Sequence, residues 1–311
     1  MTTIFPVSAL CRVRAGAWLL VLALSAAALS SAQGAEVASI WNKENLQAWC
    51  IVPYDAKKRT PEERAEMLKR IGLRAYAYDF RPQHIPEFDR EVEVMKAQGI
   101  ELTAWWFSSK MDDNARKILA TIERQKIKPT LWVSGGGAPA KNAAEQVARI
   151  TSEVARIKPI AEAAQAQGLK IALYNHQGWF GDPDNQLAVL EGLRREGAAN
   201  VGIVYNFHHA HEHIRTFAAQ WPRMMPHVVA VNVSGIVENG DRAGKKIQYV
   251  GEGDQEMALM KVIAESGWRG PIGVLCHRTD VDAEEALQRN MAGVATLAAK
   301  LAAEPPALKK K

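Results

Sequence analysis

The segment from Lys170 to Asn206, KIALYNHQGWFGDPDNQLAVLEGLRREGAANVGIVYN, decides the fold class. Two short apolar runs, at 170–175 and 201–206, flank a stretch of helical periodicity at 183–196. Pro183 suits the first turn of that helix, and Gly197 suits its end. Strands joined by a helix of this length pair in parallel through a right-handed crossover. The segment therefore predicts one strand–helix–strand unit of an α/β fold.

The same alternation recurs along the chain from residue 45 onward. We predict strands at 48–53, 74–80, 101–107, 130–134, 170–175, 201–206, 228–234 and 272–276. We predict helices at 61–70, 86–98, 114–126, 143–167, 183–196, 212–221, 255–266 and 283–301. Eight such units in about 260 residues fit a closed (β/α)8 barrel, or TIM barrel. The chain is therefore expected to form a single-domain TIM barrel over residues 45–302, with a doubly wound open sheet as the alternative.

The first 32 residues have the pattern of an export signal. Arg12 and Arg14 precede an apolar run from Ala15 to Leu29, and small residues follow up to Ala32. A basic start, an apolar stretch and small residues before the cut are typical of a secretory signal peptide. We predict a signal peptide over residues 1–32, cleavage after Ala32 and a periplasmic location. An uncleaved N-terminal anchor is the alternative.

The positive charge of the chain lies at its two ends. The 311 residues carry a formal net charge of +5. Without Arg12, Arg14 and the three terminal lysines, 34 basic residues remain against 34 acidic ones. A neutral body gives no electrostatic footprint for nucleic acid. We therefore expect no nucleic-acid partner, no stable membrane span after signal cleavage, and a solvated Pro- and Lys-rich tail at 303–311.

Polar and aromatic side chains gather at the predicted strand ends, where TIM barrels hold their chemistry. Five of the eight histidines lie within or just after a strand end. Aromatic rings stack on the CH faces of sugars, and amides pair with sugar hydroxyls. The pattern favours a small carbohydrate as partner. The candidate substrate-binding residues are Asp79, Arg81, Trp106, Tyr174, Asn175, Asn206 and Asn232.

Several passages resemble the xylose-isomerase-like barrels, which include sugar isomerases, epimerases and endonuclease-IV-type enzymes. The passage from Tyr249 to Asp254, followed by 266–272, is similar to that family's "G-x-G-D, helix, GY-x-G". Residues 172–176, ALYNH, are similar to its "LENH" strand. Asn206-x-x-His209 is similar to its "D-x-x-H" strand. The resemblance covers most of the chain after the signal peptide and implies a sugar-converting barrel.

The resemblance also implies a divalent metal, held by Glu, Asp, His and Glu on the fifth to eighth strands. The matching positions here are Tyr174, Asn206, Asn232 and Leu275. Leucine cannot ligate a metal, and a neutral amide is a weak ligand. The chain is therefore expected to lack the usual family metal and its metal-assisted mechanism.

Imidazoles are the candidate replacement for the missing carboxylates. Side chains two apart on a strand share a face, so His176 and His277 should point into the barrel mouth with Tyr174 and Leu275. Asn206, His208 and Asn232 should join them by the same parity. Imidazoles transfer protons near neutral pH. We predict sugar isomerisation, epimerisation or elimination, with His176 and one of His208, His209 or His277 as acid and base.

Three alternatives remain open. A divalent metal could sit on a relocated site of His176, His208 or His209, and His277. The barrel could instead bind a sugar or a protein partner without catalysis, or act as a lyase on keto-glycosides. The run at 208–213 is also compatible with a solvated loop at His211 and His213.

Two residue pairs have simpler interpretations. Asp79 and Arg81 could pair with each other at the rim. Cys50 and Cys276 lie on neighbouring strands, where a disulfide is uncommon, so packing is the expected role of Cys276.

Overall fold

The computed structural model describes residues 39–304, so the predicted signal peptide and residues 305–311 of the predicted tail lie outside the described part. The strands are β1 Leu46–Trp49, β2 Ala75–Tyr78, β3 Glu101–Phe107, β4 Thr130–Ser134, β5 Ile171–Tyr174, β6 Val201–Asn206, β7 Val228–Val233 and β8 Ile272–Leu275. The α-helices are α1 Pro61–Ile71, α2 Phe88–Ala97, α3 Asp113–Gln125, α4 Ala143–Ala166, α5 Gly178–Gly181, α6 Pro183–Arg195, α7 Phe217–Met224, α8 Glu256–Glu265 and α9 Ala283–Ala303. Between residues 39 and 304, no helix is long and apolar enough to cross a membrane.

The eight strands form a closed parallel barrel in sequence order. β8 pairs with β1 along four residues, from Leu46 opposite Ile272 to Trp49 opposite Leu275. This closure confirms the predicted TIM barrel and makes the open-sheet alternative wrong. The helices begin where the sequence supplies caps, as at α1, where Thr60 and Glu63 form a reciprocal capping box.

Three of the predicted boundaries that are wrong have a local structural cause. β1 ends at Trp49, because Cys50 takes a left-handed backbone with φ +53°. The predicted helix from Pro86 begins only at Phe88, after a 3-10 segment over Pro82–Glu87. The predicted helix from Glu212 begins at Phe217, because the preceding residues form turns around the buried ring of His211.

The core has two layers, set by the alternation of side chains along the strands. The inner layer fills the barrel with Trp49, Trp132, Tyr174, Val204, Leu275 and smaller residues. The outer layer joins the opposite strand faces to the helices and includes Cys276. Cys50 and Cys276 are both free thiols.

Candidate functional site

A cleft opens at the carboxyl ends of the strands. The ten residues lining it are Trp49, Cys50, Tyr54, Asp79, Arg81, Trp106, Tyr174, His176, His209 and His277. Seven of these were predicted as site residues, among them Tyr174, which also occupies a lost ligand position. Trp49, Cys50 and Tyr54 were missed. The cleft has a cavity volume of about 40 Å³, which is room for a few water molecules.

Aromatic rings form the base of the cleft. Trp49 meets Trp132 edge-on with ring centroids 4.6 Å apart, and its Nε1 donates to the Tyr174 hydroxyl at 3.3 Å. Trp106 meets Tyr174 edge-on at 4.8 Å. These rings fill the volume around Tyr174, which occupies the position of a metal ligand in the family that the sequence resembles.

The other changed ligand positions lie below the cleft. Asn206 donates from its backbone and its side chain to Asn175 Oδ1, both at 2.8 Å. The amide of Asn232 donates to Asn206 Oδ1, and a Cβ at Gly273 would overlap Asn232. Asn175, Asn206 and Asn232 are fully buried and bonded to one another, so the structure does not bring them to the cleft.

The four ligand positions therefore do not fit a divalent metal. Tyr174 is a buried phenol already bonded to Trp49, and Leu275 belongs to the apolar inner layer. Burial raises the pKa of Tyr174 well above its usual range, so this phenol stays protonated and is a poor ligand.

Four imidazoles form a connected cluster across the mouth. The ring centroids are 4.5 Å apart for His176 and His209, 3.9 Å for His209 and His208, and 5.0 Å for His208 and His277. His176 is exposed and His277 half-buried, whereas His209 and His208 are buried. His208 does not line the cleft, and neither of its ring nitrogens has a hydrogen-bond partner among the described residues.

All four imidazoles are held in the neutral form. Burial lowers the pKa of His209 to about 2 and that of His277 to about 4. Partial desolvation lowers the pKa of His176, and full burial lowers that of His208 by more. The positive charge of Lys246 acts in the same direction on all four rings.

The cluster does not form the relocated metal site. Within residues 39–304, no group of three or more His, Cys, Asp or Glu side chains is arranged to hold a metal ion. His277 instead stacks on Tyr54, with centroids 4.2 Å apart and an angle of 17° between the rings.

Asp79 and Arg81 line the cleft without pairing. Arg81 Nη1 donates to the carbonyls of Phe80 at 2.8 Å and Asp79 at 3.2 Å, and Nη2 donates to the Tyr54 hydroxyl at 3.0 Å. Asp79 Oδ1 accepts the N–H of Val52 at 3.2 Å, while Oδ2 has no partner in the described chain. The predicted side-chain pair is therefore wrong, because the guanidinium reaches the backbone of Asp79 and not its carboxylate. Burial raises the pKa of Asp79 to about 7.

The segment between β7 and α8, residues 234–255, lies against the mouth and is called the β7–α8 segment. His211 anchors it, with Nδ1 2.7 Å from the carbonyl of Val237 and Nε2 3.2 Å from that of Lys246. The solvated-loop interpretation is wrong for His211, which is 1% exposed. Glu256 accepts the backbone N–H groups of Gly251 at 2.9 Å and Gly253 at 3.0 Å. The glycine-rich passage recognised in the sequence thus shapes this segment.

Left-handed backbone occurs just after three strands of the barrel. Cys50, Gln177 and His277 have φ values of +53°, +63° and +52°. Such conformations cost free energy for residues other than glycine and concentrate at functional sites. Nothing in the residue pattern signals them, which is why Cys50 was missed.

The closed parallel barrel, with its cleft at the carboxyl ends of the strands, defines a TIM-barrel protein. The sequence model described as "xylose isomerase-like TIM barrel" matches residues 27–297, and the chain belongs to this family.

Solved structures share the fold at low sequence identity. The 3-keto-D-glucoside 4-epimerase YcjR from E. coli has a TM-score of 0.59 and 13% identity, covering 82% of this chain and 99% of that one. The IOLI protein, solved with a bound zinc atom, has a TM-score of 0.60 and 16% identity over 83% and 99%. A D-allulose 3-epimerase from Methylomonas sp. has a TM-score of 0.59 and 13% identity over 82% and 98%. No curated protein matches the chain.

Proposed function

We propose that this protein is an isomerase- or epimerase-like enzyme that moves a proton next to the carbonyl of a non-phosphorylated sugar or keto-sugar. It acts without the usual family metal. The observation that carries the proposal is a cleft, at the catalytic end of the barrel, in which neutral imidazoles face a guanidinium that has no acidic partner among the described residues.

His176 is the proposed proton acceptor. It is the one exposed imidazole of the cluster, and the ring of His209 lies beneath it. Its lowered pKa keeps a nitrogen lone pair free at neutral pH. A neutral imidazole beside a bound sugar can therefore take a proton from a carbon made acidic by an adjacent carbonyl.

Arg81 is the proposed stabiliser of the enediolate oxygen. Three hydrogen bonds, to two backbone carbonyls and to Tyr54, fix its guanidinium at the cleft wall. A fixed positive charge where negative charge develops lowers the barrier to enolisation.

The lining residues favour a sugar. Trp106 and Tyr54 present half-buried rings to the cleft, and such rings stack on the CH faces of a pyranose or furanose. Proteins of similar fold include a 3-keto-D-glucoside 4-epimerase and a D-allulose 3-epimerase, which supports testing keto-glycosides and ketoses first.

The test is deuterium incorporation into sugars. The mature protein, dialysed against EDTA, is incubated in D2O with a panel of ketoses and keto-glycosides and followed by NMR. We expect deuterium at a carbon beside the carbonyl of at least one panel member. If no member exchanges, the proposal fails. Cleavage of a keto-glycoside in place of exchange would instead identify a lyase.

A non-catalytic sugar-binding barrel is the second candidate. It is favoured by the aromatic filling around Tyr174 and by the small cavity of about 40 Å³. A sugar that raises the melting temperature without exchanging a proton would decide for this function.

Export to the periplasm is proposed on the N-terminal pattern alone. Mass spectrometry of the protein from a periplasmic extract should find a new N-terminus at Gln33. An intact residue 1 in a membrane fraction would support the anchor instead.

A further inference from the structure

Asp79 is a buried carboxyl group with an unused oxygen at the cleft. It is the one acidic residue among the ten that line the cleft, and it is 1% exposed. Oδ1 is held by the N–H of Val52, and the Cys50 thiol lies beside the carboxyl group, whereas Oδ2 accepts no hydrogen bond of normal geometry within the described chain. A buried carboxylate oxygen without a donor is costly and calls for a ligand.

Asp79 and His176 lie on different sides of the mouth. Asp79 follows β2 and His176 follows β5, three strands away in a closed barrel of eight. His209, beneath His176, follows β6, the strand diametrically opposite β2. A sugar in the cleft would therefore have a carboxyl group on one side and an imidazole on the other.

We propose, resting on the proposed function, that Asp79 and His176 are a pair of acid–base residues working on opposite faces of the reacting carbon. The reaction is then an epimerisation, which inverts one stereocentre of a keto-sugar. A single group working on one face would instead favour proton transfer between neighbouring carbons, which is an isomerisation, or exchange of the proton with solvent.

His176 takes the proton from the carbon next to the carbonyl, and the C–H electron pair forms the C=C bond of an enediolate. The carbonyl π electrons move to the oxygen, which Arg81 stabilises. The enediolate then returns its electron pair to the carbon, which takes a proton from the carboxyl group of Asp79 on the opposite face. The enzyme is left with an imidazolium and a carboxylate, and proton exchange with water resets both.

The ionisation states of the two groups suit these steps. Burial raises the pKa of Asp79 to about 7, so the carboxyl group is largely protonated just below neutral pH. Burial lowers the pKa of His176, so the imidazole is largely neutral there. In one direction of the reaction, His176 can therefore accept a proton and Asp79 can donate one. In the reverse direction, the carboxylate accepts a proton and the imidazolium donates one.

The first test uses the wild-type protein in D2O, stopped at low conversion. Asp79 carries deuterium from the solvent and delivers it to the product, whereas His176 removes the substrate's hydrogen. We therefore expect deuterium in the product while the remaining substrate keeps its hydrogen. Product that carries the substrate's own hydrogen would overturn the proposal, because one group would then serve both faces.

The second test compares Asp79→Asn with Asp280→Asn, an exposed carboxylate in the loop after β8. Asp79→Asn should slow interconversion of the epimers by about 10²- to 10⁴-fold. It should still exchange the proton of the epimer whose hydrogen faces His176, which also shows that the site is folded. Asp280→Asn should match wild type.

The outcomes separate the two proposals. Asp79→Asn that interconverts the epimers at the wild-type rate overturns the role of Asp79 and leaves the proposed function standing. Wild-type protein that exchanges no proton in any panel sugar overturns both.

Discussion

His176 differs from the other three clustered imidazoles in being exposed, which makes it the residue whose removal should affect activity with little effect on folding. We expect His176→Ala to lower the rate of deuterium exchange about 10²- to 10⁴-fold, the usual contribution of a general base. NMR of the panel sugar in D2O measures this rate.

His227 provides the matched control. It lies just before β7, at the opposite end of the barrel, and contacts Arg194. His227→Ala should exchange at the wild-type rate. Full turnover by His176→Ala on an identified substrate would remove His176 from the catalytic role.

Asp79 should lower the stability of the folded protein at neutral pH. Its folded pKa of about 7 lies above the unfolded value of about 3.9, so the folded state binds its proton more tightly. The stabilisation that comes from the tighter binding of this proton is fully present below pH 4, and it is lost as pH rises through the folded pKa of about 7. Above that pH the buried charge costs on the order of 4 kcal/mol. Asp79→Asn should therefore melt above wild type at pH 8, with the difference shrinking toward pH 4.

Asp55 gives the opposite control. It is equally buried, but both oxygens accept from Arg59 Nη1 at 2.9 Å, and Oδ1 also accepts the N–H of Ala283. Asp55→Asn should lower the melting temperature at pH 8, because it breaks a buried ion pair. Asp79→Asn that melts below wild type at pH 8 would show that the carboxylate is better solvated than its contacts indicate.

Side-chain parity predicted part of the candidate site and failed at three positions. It brought His176 and His277 to the cleft with Tyr174. It failed for Asn206 and Asn232, because amides can bond to one another inside the barrel. It also failed for His208, which lies in a 3-10 turn where the period of two no longer applies.

The β7–α8 segment is the element whose position most affects the mouth. Ile247 packs on the inner layer, and a Cβ at Gly240 would overlap the ring of His211. We expect Gly240→Ala to loosen this segment, since overpacking costs about 1–3 kcal/mol. Amide hydrogen exchange over residues 235–248 should rise about tenfold or more.

Gly136→Ala is the control, because a Cβ there meets nothing within 4 Å. It should leave exchange in the β7–α8 segment unchanged. Unaltered exchange in Gly240→Ala would mean that His211 does not anchor the segment.

Element boundaries were predictable where local signals determine them. Thr60 and Pro61 mark the start of α1, and Asp182 with Pro183 marks that of α6, because caps act within one turn. The start of α7 was not predictable, because it depends on carbonyls of the β7–α8 segment more than twenty residues away, which hold His211.

At the scale of the whole molecule, the replaced ligand positions Tyr174, Asn206, Asn232 and Leu275 predict that the thermal stability of the protein does not depend on divalent metals. A metal at about 100 times its Kd adds about 2.7 kcal/mol, which raises the Tm of a domain of this size by several degrees. We expect Mn²⁺, Zn²⁺ or EDTA to leave Tm unchanged, as measured by scanning calorimetry.

A matched variant makes the metal experiment decisive. A rise in Tm with metal that is absent in a His176→Ala, His277→Ala double variant would revive the relocated site. A rise that persists in the double variant would place a metal elsewhere in the chain.

The half-buried indole of Trp106, edge-on to Tyr174 and open to the cleft, gives the protein a built-in optical reporter. A sugar has no absorbance of its own, yet one that stacks there would remove water from the indole and shift its emission to the blue. The difference between wild type and Trp106→Phe would isolate that signal from the other tryptophans. Ligands could then be screened by fluorescence before any reaction is known.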